Sequence, residues 1–249
     1  MEDILRQYKN GRAILKLNRP RVMNALTPQM LEALSAAIDD AATDDDVGVI
    51  IITGEGRAFS AGVDLKSLGE SKLVNGAVGP LLDVPGRGVI RKIETLNKVV
   101  IARVNGFCFT GALELALACD LIVVAAEAKL GDTHARYGIR PSWGMSQRLP
   151  RRVGVLKARE LSYTGRTFSG EQALEMGLAN FAPPLERLDE VIDGLCDQIL
   201  ANSRDTIAAY KDLYRATEGM LLDDGLEYES RSDYVIKDTE ARIESFRRR

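Results

Sequence analysis

The chain has 249 residues, of which 45% are hydrophobic, 28% charged and 6% aromatic, a profile that excludes disorder, collagen-like repeats and low-complexity scaffolds. A folded chain of this length hides on the order of 70–75% of its unfolded surface, so a full core is available without disulfide staples. Thirty-three basic residues against 36 acidic ones leave a formal net charge of −3, the wrong balance for holding nucleic acid by phosphate neutralisation.

Ile4 to Lys9 and Arg12 to Asn18 flank Asn10-Gly11, two residues that tolerate positive φ, and the pattern predicts a hairpin. Thr27 then caps a helix with Pro28 at its first position and Leu31, Leu34, Ile38 and Ala41 along one face. Val47 to Thr53, rich in Val and Ile, is expected as a strand covered on both faces, ending in the loop Gly54-Glu55-Gly56. The cycle then repeats. A helix carries Val89, Ile90, Ile93 and Leu96, and a buried strand runs from Val99 to Val104. A glycine-bounded loop follows over Asn105 to Gly111, then a short helix over Gly111 to Ala118 and a strand over Leu121 to Ala125. Strands alternating with helices predict an α/β core.

From about Leu156 the chain is expected to be helical. Ser169 and Gln172 form a capping box, Gly177 is a stop, and Leu188, Val191, Ile192, Leu195 and Ile199 make an apolar stripe. Pro183-Pro184 is read as a hinge between a body and a C-terminal helical region. The Gly- and Pro-rich stretch from Gly76 to Gly88 is read as flexible and close to a ligand. The Arg148, Arg151 and Arg152 cluster is expected on a solvated or inter-subunit surface.

Cys108, Cys119 and Cys196 stand far apart, with no metal-ligand spacing and an odd total, which points to a reducing compartment. The opening Met1-Glu2-Asp3-Ile4 has no basic region ahead of an apolar one, so no signal peptide is expected. The most apolar stretch, Ala112 to Ala126, contains Glu114 and Asp120 and is too short to span a bilayer. The expectation is a cytoplasmic protein with neither membrane nor nucleic-acid partners.

Two loops follow buried strands and open helices, one around Phe59 to Lys66 and one around Val104 to Ala116. Small residues at Ala61-Gly62 and Gly111-Ala112 let a ligand approach the backbone, and free N–H groups at a helix start suit a negatively charged oxygen. Two such donors make an oxyanion hole; the same small residues also serve any tight turn. Glu114 sits inside the apolar run ALELALA, where a carboxylate is costly unless it is paired, caps nearby N–H groups or does chemistry. The chain has one histidine, His134, with Asp132 two residues away and able at most to orient it. A metal site built on histidines is not expected, and no G-x-S-x-G elbow exists for a nucleophilic serine.

NRPRVMNAL (18–26), FSAGVDL (59–65), VNGFCFTGALELALACDLIVVA (104–125), GDTHARYGIRPSWGMSQRLPRRVG (131–154) and TGRTFSGEQALEMGLAN (164–180) occur in this order. Together they resemble the enoyl-CoA hydratase/isomerase (crotonase) superfamily over nearly the whole chain. The resemblance implies an α/β fold, a crotonase-like spiral of ββα units over residues 1–182. A C-terminal helical region over 183–249 would serve trimer assembly, the whole being one continuous family domain. It implies an oxyanion hole from the backbone N–H groups of Val63 and Gly111, holding the thioester carbonyl of an acyl-CoA. Arg21, Val22, Ala25, Ala61, Asp64, Leu65, Ser142 and Trp143 then fall at CoA- or substrate-binding positions. Glu114 matches the first catalytic glutamate.

The second catalytic position departs from the family. The usual F-G-x-P-E reads Leu130-Gly131-Asp132-Thr133-His134, so His134 stands where the second glutamate is usual. Histidine remains a competent acid or base near neutral pH, and it exchanges a carboxylate pair for a possible Glu114–His134 ion pair. Loss of that glutamate argues against isomerase activity. Arg140-Pro141-Ser142-Trp143 replaces a Pro-Gly followed by small residues, which narrows or reshapes the acyl pocket unless Trp143 is simply packing. The carboxylate nucleophile of a related dehalogenase branch falls near Ser142 and is missing.

The leading expectation is reversible hydration of a 2-enoyl-CoA to a 3-hydroxyacyl-CoA. The alternatives are hydrolysis, decarboxylation or C–C cleavage with His134 as the acid or base, and a non-catalytic acyl-CoA binder. No metal or separate cofactor is implied, since coenzyme A enters with the substrate. A homotrimer or dimer of trimers is the expected assembly.

Overall fold

The structure, a computed structural model, describes residues 2–68 and 73–248. Strands β1 (Ile4–Lys9) and β2 (Arg12–Leu17) pair antiparallel across Asn10 and Gly11, whose φ angles of 49° and 75° give the turn that matches strand twist. Helix α1 (Pro28–Thr43) begins where its residues dictate. The Thr27 side chain accepts from the Met30 N–H at 3.1 Å, Pro28 needs no N–H there, and Leu31, Leu34, Ile38 and Ala41 are all buried.

The same ββα unit then recurs with variations. β3 (Val49–Gly54) and β4 (Ala58–Ser60) lead to α2 (Pro80–Thr95). β5 (Val99–Val104) and β6 (Phe107–Phe109) lead to α3 (Gly111–Ala118). β7 (Leu121–Val124) and β8 (Lys129–Gly131) lead to the single turn α4 (His134–Tyr137). The first strand of each later unit joins one sheet, ordered β1-β2-β3-β5-β7 and parallel from β2 onward. The second strand joins another, ordered β4-β6-β8-β9, in which β9 (Phe168–Ser169) is the antiparallel edge. The spiral of ββα units expected from the resemblance is the observed architecture.

The parallel register of β4, β6 and β8 pairs Ser60 with Cys108, Cys108 with Leu130 and Phe109 with Gly131. The segments leaving these three strands therefore emerge side by side: Ala61–Leu65, Thr110 into α3, and Asp132 into α4.

Helices α5 (Met145–Val153), α6 (Val155–Thr164) and α7 (Gly170–Glu175) follow; Ser169 and Gln172 close the capping box over α7 at 3.0 and 3.1 Å. Helix α8 (Leu188–Leu200) buries Leu188, Ile192 and Cys196 in the core, and the buried Arg12 ties it to β2 through Asp193 and Asp197. Helices α9 (Arg204–Thr217), α10 (Leu222–Arg231) and α11 (Thr239–Arg247) bury no residue fully. No helix among the described residues is long and apolar enough to cross a membrane.

Three expectations are corrected. The stretch from Gly76 to Gly88 is not a flexible loop: from Pro80 onward it is the first half of α2, with Pro85 inside the helix. Before it, residues 74–77 form a turn closed by the Ala77 N–H to the Val74 carbonyl at 3.0 Å, and the Arg140 N–H bonds the Gly76 carbonyl at 2.9 Å. The loop from Asn105 to Gly111 contains β6, too short to show period-two patterning. Helix resumes at Met145 rather than near Leu156, because the polar sequence SQRLPRR hides an amphipathic turn that buries only Met145 and Leu149.

Loss of the α1 cap is testable: Thr27→Ala is expected to lower stability by about 1 kcal/mol, read as a lower urea midpoint at unchanged slope.

Candidate active site

Glu114 lies one turn after Gly111 on the same face of α3, a helix whose residues are all buried. Its two oxygens have different partners. Oε1 accepts from the backbone N–H groups of Trp143 (3.0 Å) and Met145 (2.9 Å), which leaves Oε2 facing Nε2 of His134 at 3.6 Å. The capping expectation for this carboxylate is met on Oε1, and Oε2 is left to face the imidazole. Burial pushes the Glu114 carboxyl above the usual carboxylate range, against the opposing pull of the Met145 N–H, His134 and the Trp143 N–H.

His134 opens α4 and is buried. Its Nδ1 lies 2.6 Å from Oδ1 of Asp132, and Oδ2 of Asp132 accepts from the Ser162 hydroxyl at 2.7 Å. Burial alone would raise the Asp132 carboxyl, but the hydrogen bonds from His134 and Ser162 outweigh it and hold the group below the ordinary value. An ionised carboxylate only accepts, so Nδ1 carries the hydrogen and Nε2 is the nitrogen turned to Glu114. Ser162 donates to the aspartate and not to the histidine, which is the wrong order for a nucleophilic triad.

The two backbone donors flank the same place. Leu26 pairs with Val63 as a parallel bridge, through the Leu26 N–H to the Gly62 carbonyl (2.8 Å) and the Asp64 N–H to the Leu26 carbonyl (2.9 Å). That pattern turns the N–H of Val63 to the opposite side. Gly111 is the first residue of α3, so its N–H has no partner in the helix. Among the described residues, neither N–H donates to a protein acceptor. Gly62, at φ 92°, brings the segments together: a Cβ there would lie 2.7 Å from the Phe109 carbonyl oxygen and 3.6 Å from the Gly111 nitrogen. Thr110, at φ 53° and ψ −114°, holds a conformation proper to glycine, fixed by its N–H to Gly131 (3.0 Å) and its hydroxyl against Thr133.

Arg21, Val22 and Ala25 meet Ala61, Asp64 and Leu65 at one rim. The Ala61 N–H donates to the Met23 carbonyl at 2.8 Å, and Arg19 bonds Ala25 (2.6 Å) and pairs with Asp64 (2.9 Å). Arg21, Val22 and Leu65 are exposed there. Asn24, which sequence reasoning passed over, is fully buried. Its side chain accepts from the Arg19 N–H (2.9 Å) and donates to the carbonyls of Glu55 (2.9 Å) and Ala58 (2.8 Å). It clamps the Arg21–Ala25 turn to the start of β4; its only sequence signal is a polar residue in the turn NRPRVMNAL.

Ser142 and Trp143 both bond Asp83 of α2, through the Ser142 hydroxyl at 2.6 Å and the indole N–H at 3.1 Å. Arg148 bonds Glu94 (2.5 Å) and the Trp143 carbonyl (2.7 Å), and Arg151 pairs with Glu218 (2.8 Å), so both arginines are engaged within the chain. A cavity of about 410 Å³ reaches Asp132, His134 and Ser162 between α4, α5 and α6. Larger clefts, of about 930 Å³ under α9 and about 580 Å³ beside β2 and α8, touch neither Glu114 nor His134.

Residues 7–248 match the enoyl-CoA hydratase/isomerase family. The chain is 36% identical over 221 residues to "Probable enoyl-CoA hydratase 1, peroxisomal" of Arabidopsis thaliana, covering 89% of this chain and 80% of that protein. It is 35% identical over 223 residues to the crotonyl-CoA hydratase of Syntrophomonas wolfei, covering 89% and 84%. The crystal structure of an enoyl-CoA hydratase from Bacillus anthracis matches with a TM-score of 0.86 at 32% identity, over 92% of this chain and 88% of that one. With the ββα spiral and the buried Glu114 already in place, these likenesses settle the family: the chain belongs to the enoyl-CoA hydratases and isomerases.

Proposed function

We propose that the protein catalyses the reversible hydration of a 2-enoyl-CoA to a 3-hydroxyacyl-CoA, with Glu114 and His134 as its acid–base pair. The observation that carries this reading is the facing of Glu114 Oε2 and His134 Nε2 at 3.6 Å, beside the unpartnered N–H groups of Val63 and Gly111. Relatives named as enoyl-CoA hydratases at 35–36% identity support the same reaction.

The chemistry balances on these groups. The thioester oxygen accepts from the Val63 and Gly111 N–H groups, and the CoA portion lies along the rim of Arg21, Val22, Ala25, Ala61, Asp64 and Leu65. Glu114, ionised, takes a proton from water as its oxygen bonds to C3, and the electron pair of the double bond moves toward the thioester as an enolate. Nε2 of protonated His134 gives its proton to C2, and Asp132 stabilises the imidazolium through Nδ1. Passage of the proton from Glu114 to Nε2 then resets the pair. The reaction needs no metal and no cofactor beyond the CoA of the substrate.

A homotrimer or dimer of trimers accompanies this reading, supported by Tyr214, Leu221, Leu222 and Phe246, all exposed on or beside α9–α11. Three free, buried cysteines support a reducing, cytoplasmic setting. A single-chain mass in sedimentation equilibrium would overturn the assembly.

Crotonyl-CoA tests the reaction directly: the ultraviolet band of the conjugated thioester should fade while the product gains one water by mass. Glu114→Gln is expected to lower kcat roughly 10²–10⁴-fold, and unchanged turnover sinks the assignment. Only the ionised carboxylate accepts a proton, so kcat/KM should fall as pH drops through the raised pKa of Glu114. That acid limb lies above the value of about 4.3 of an ordinary glutamate and disappears in the variant. Asp132→Asn removes the anion behind Nδ1 and is expected to lower kcat roughly 10²–10⁴-fold with KM little changed, measured by initial rates.

A further inference from the structure

We propose that Asp83 and Gly86 of α2 seat the Trp143 indole as a fixed wall across the acyl end of the site, confining the enzyme to short, straight-chain 2-enoyl thioesters. This rests on the hydration reading and adds to it the substrate class and two residues outside the family's motifs.

The indole stands between α2 and the start of α3, beside the Gly111 donor. A Cβ placed on Gly111 would lie 3.1 Å from Cζ3 of Trp143 and 3.2 Å from Cγ2 of Val63, so the ring and Val63 are the two walls beside the Gly111 donor. The Trp143 N–H is bonded to Glu114 at 3.0 Å, so the same residue reaches from the catalytic carboxylate to the oxyanion side of α3. Carbons beyond C3, leaving a carbonyl held at Val63 and Gly111 and passing Glu114, meet this ring.

Helix α2 holds the ring from behind. A Cβ on Gly86 would lie 2.3 Å from Cε2 and 2.4 Å from Cζ2, so the ring rests against bare helix backbone, and any side chain at 86 would drive it toward Gly111. Asp83, one turn earlier on the same face, is buried and uses a single oxygen, Oδ1, for both the indole N–H (3.1 Å) and the Ser142 hydroxyl (2.6 Å). A buried indole N–H needs an acceptor, and a carboxylate is the strong choice. Trp143 as a whole is 3% exposed. Swinging it aside breaks the Asp83 bond and empties the Gly86 notch, so a long chain displaces it only against both.

Trp143 is the one tryptophan of the chain, so its fluorescence reads the wall without interference. The experiment measures kcat/KM for crotonyl-CoA and trans-2-decenoyl-CoA in the native protein, Asp83→Ala and Trp143→Leu, with emission spectra of the first two. In the native protein the decenoyl thioester should be worse by at least about 30-fold, within the range that apolar pockets achieve by size. Both variants should shrink that ratio, and Asp83→Ala should shift the indole emission to the red. Native rates within threefold of each other overturn the wall and leave hydration standing, as does a ratio that Asp83→Ala does not change. If no enoyl thioester is consumed, hydration falls, and the wall is judged by titrating the emission with butyryl-CoA and decanoyl-CoA. Equal affinity for the two overturns it; preference for butyryl-CoA supports it.

Discussion

Everything at the site depends on the parallel pairing of three strands of three residues each, β4, β6 and β8. Parallel neighbours end at the same edge, so the segments leaving them are adjacent whatever their sequence separation. One segment turns the Val63 N–H outward, the next starts α3 with the Gly111 N–H and Glu114, and the third delivers Asp132 and His134. Strands this short cannot hold such an edge alone. The larger sheet and α1–α3 supply the buried area that keeps them in register.

The electrostatics of the Glu114–His134 pair depend on the carboxylate that stands behind the imidazole. At 3.6 Å the imidazole opposes the burial that raises the Glu114 carboxyl, without overcoming it. Asp132 places a second carboxylate one step back, held ionised behind Nδ1 and buttressed by Ser162. A negative charge thus sits on the far side of the ring from Glu114.

Much of this was readable in the sequence where the signal is local. Asn10-Gly11, Thr27-Pro28 and the Ser169–Gln172 box set their turns and caps through neighbours a few residues away, and each formed as expected. Gly111 to Ala118 was also legible, because an apolar run bounded by glycine leaves few other readings. What stayed hidden depends on distant partners. Gly86 reads as a helix breaker until Trp143, 57 positions later, is packed on it, and Asp83 reads as an ordinary surface acid until the indole N–H reaches it. β6 and β8 owe their existence to each other and to β4, with too few residues to pattern. Asn24 was passed over because two of its three bonds, to Glu55 and Ala58, close only when β4 folds back on the turn.

The unequal use of the two oxygens of Glu114 has a kinetic meaning. With Oε1 held by two backbone N–H groups, the side chain has a single rotamer before any substrate arrives. Binding therefore spends no free energy on freezing its torsions, and Oε2 is already aimed at the imidazole. The same tether fixes the beginning of α5, so a helix start and the Glu114 carboxylate share one rigid body.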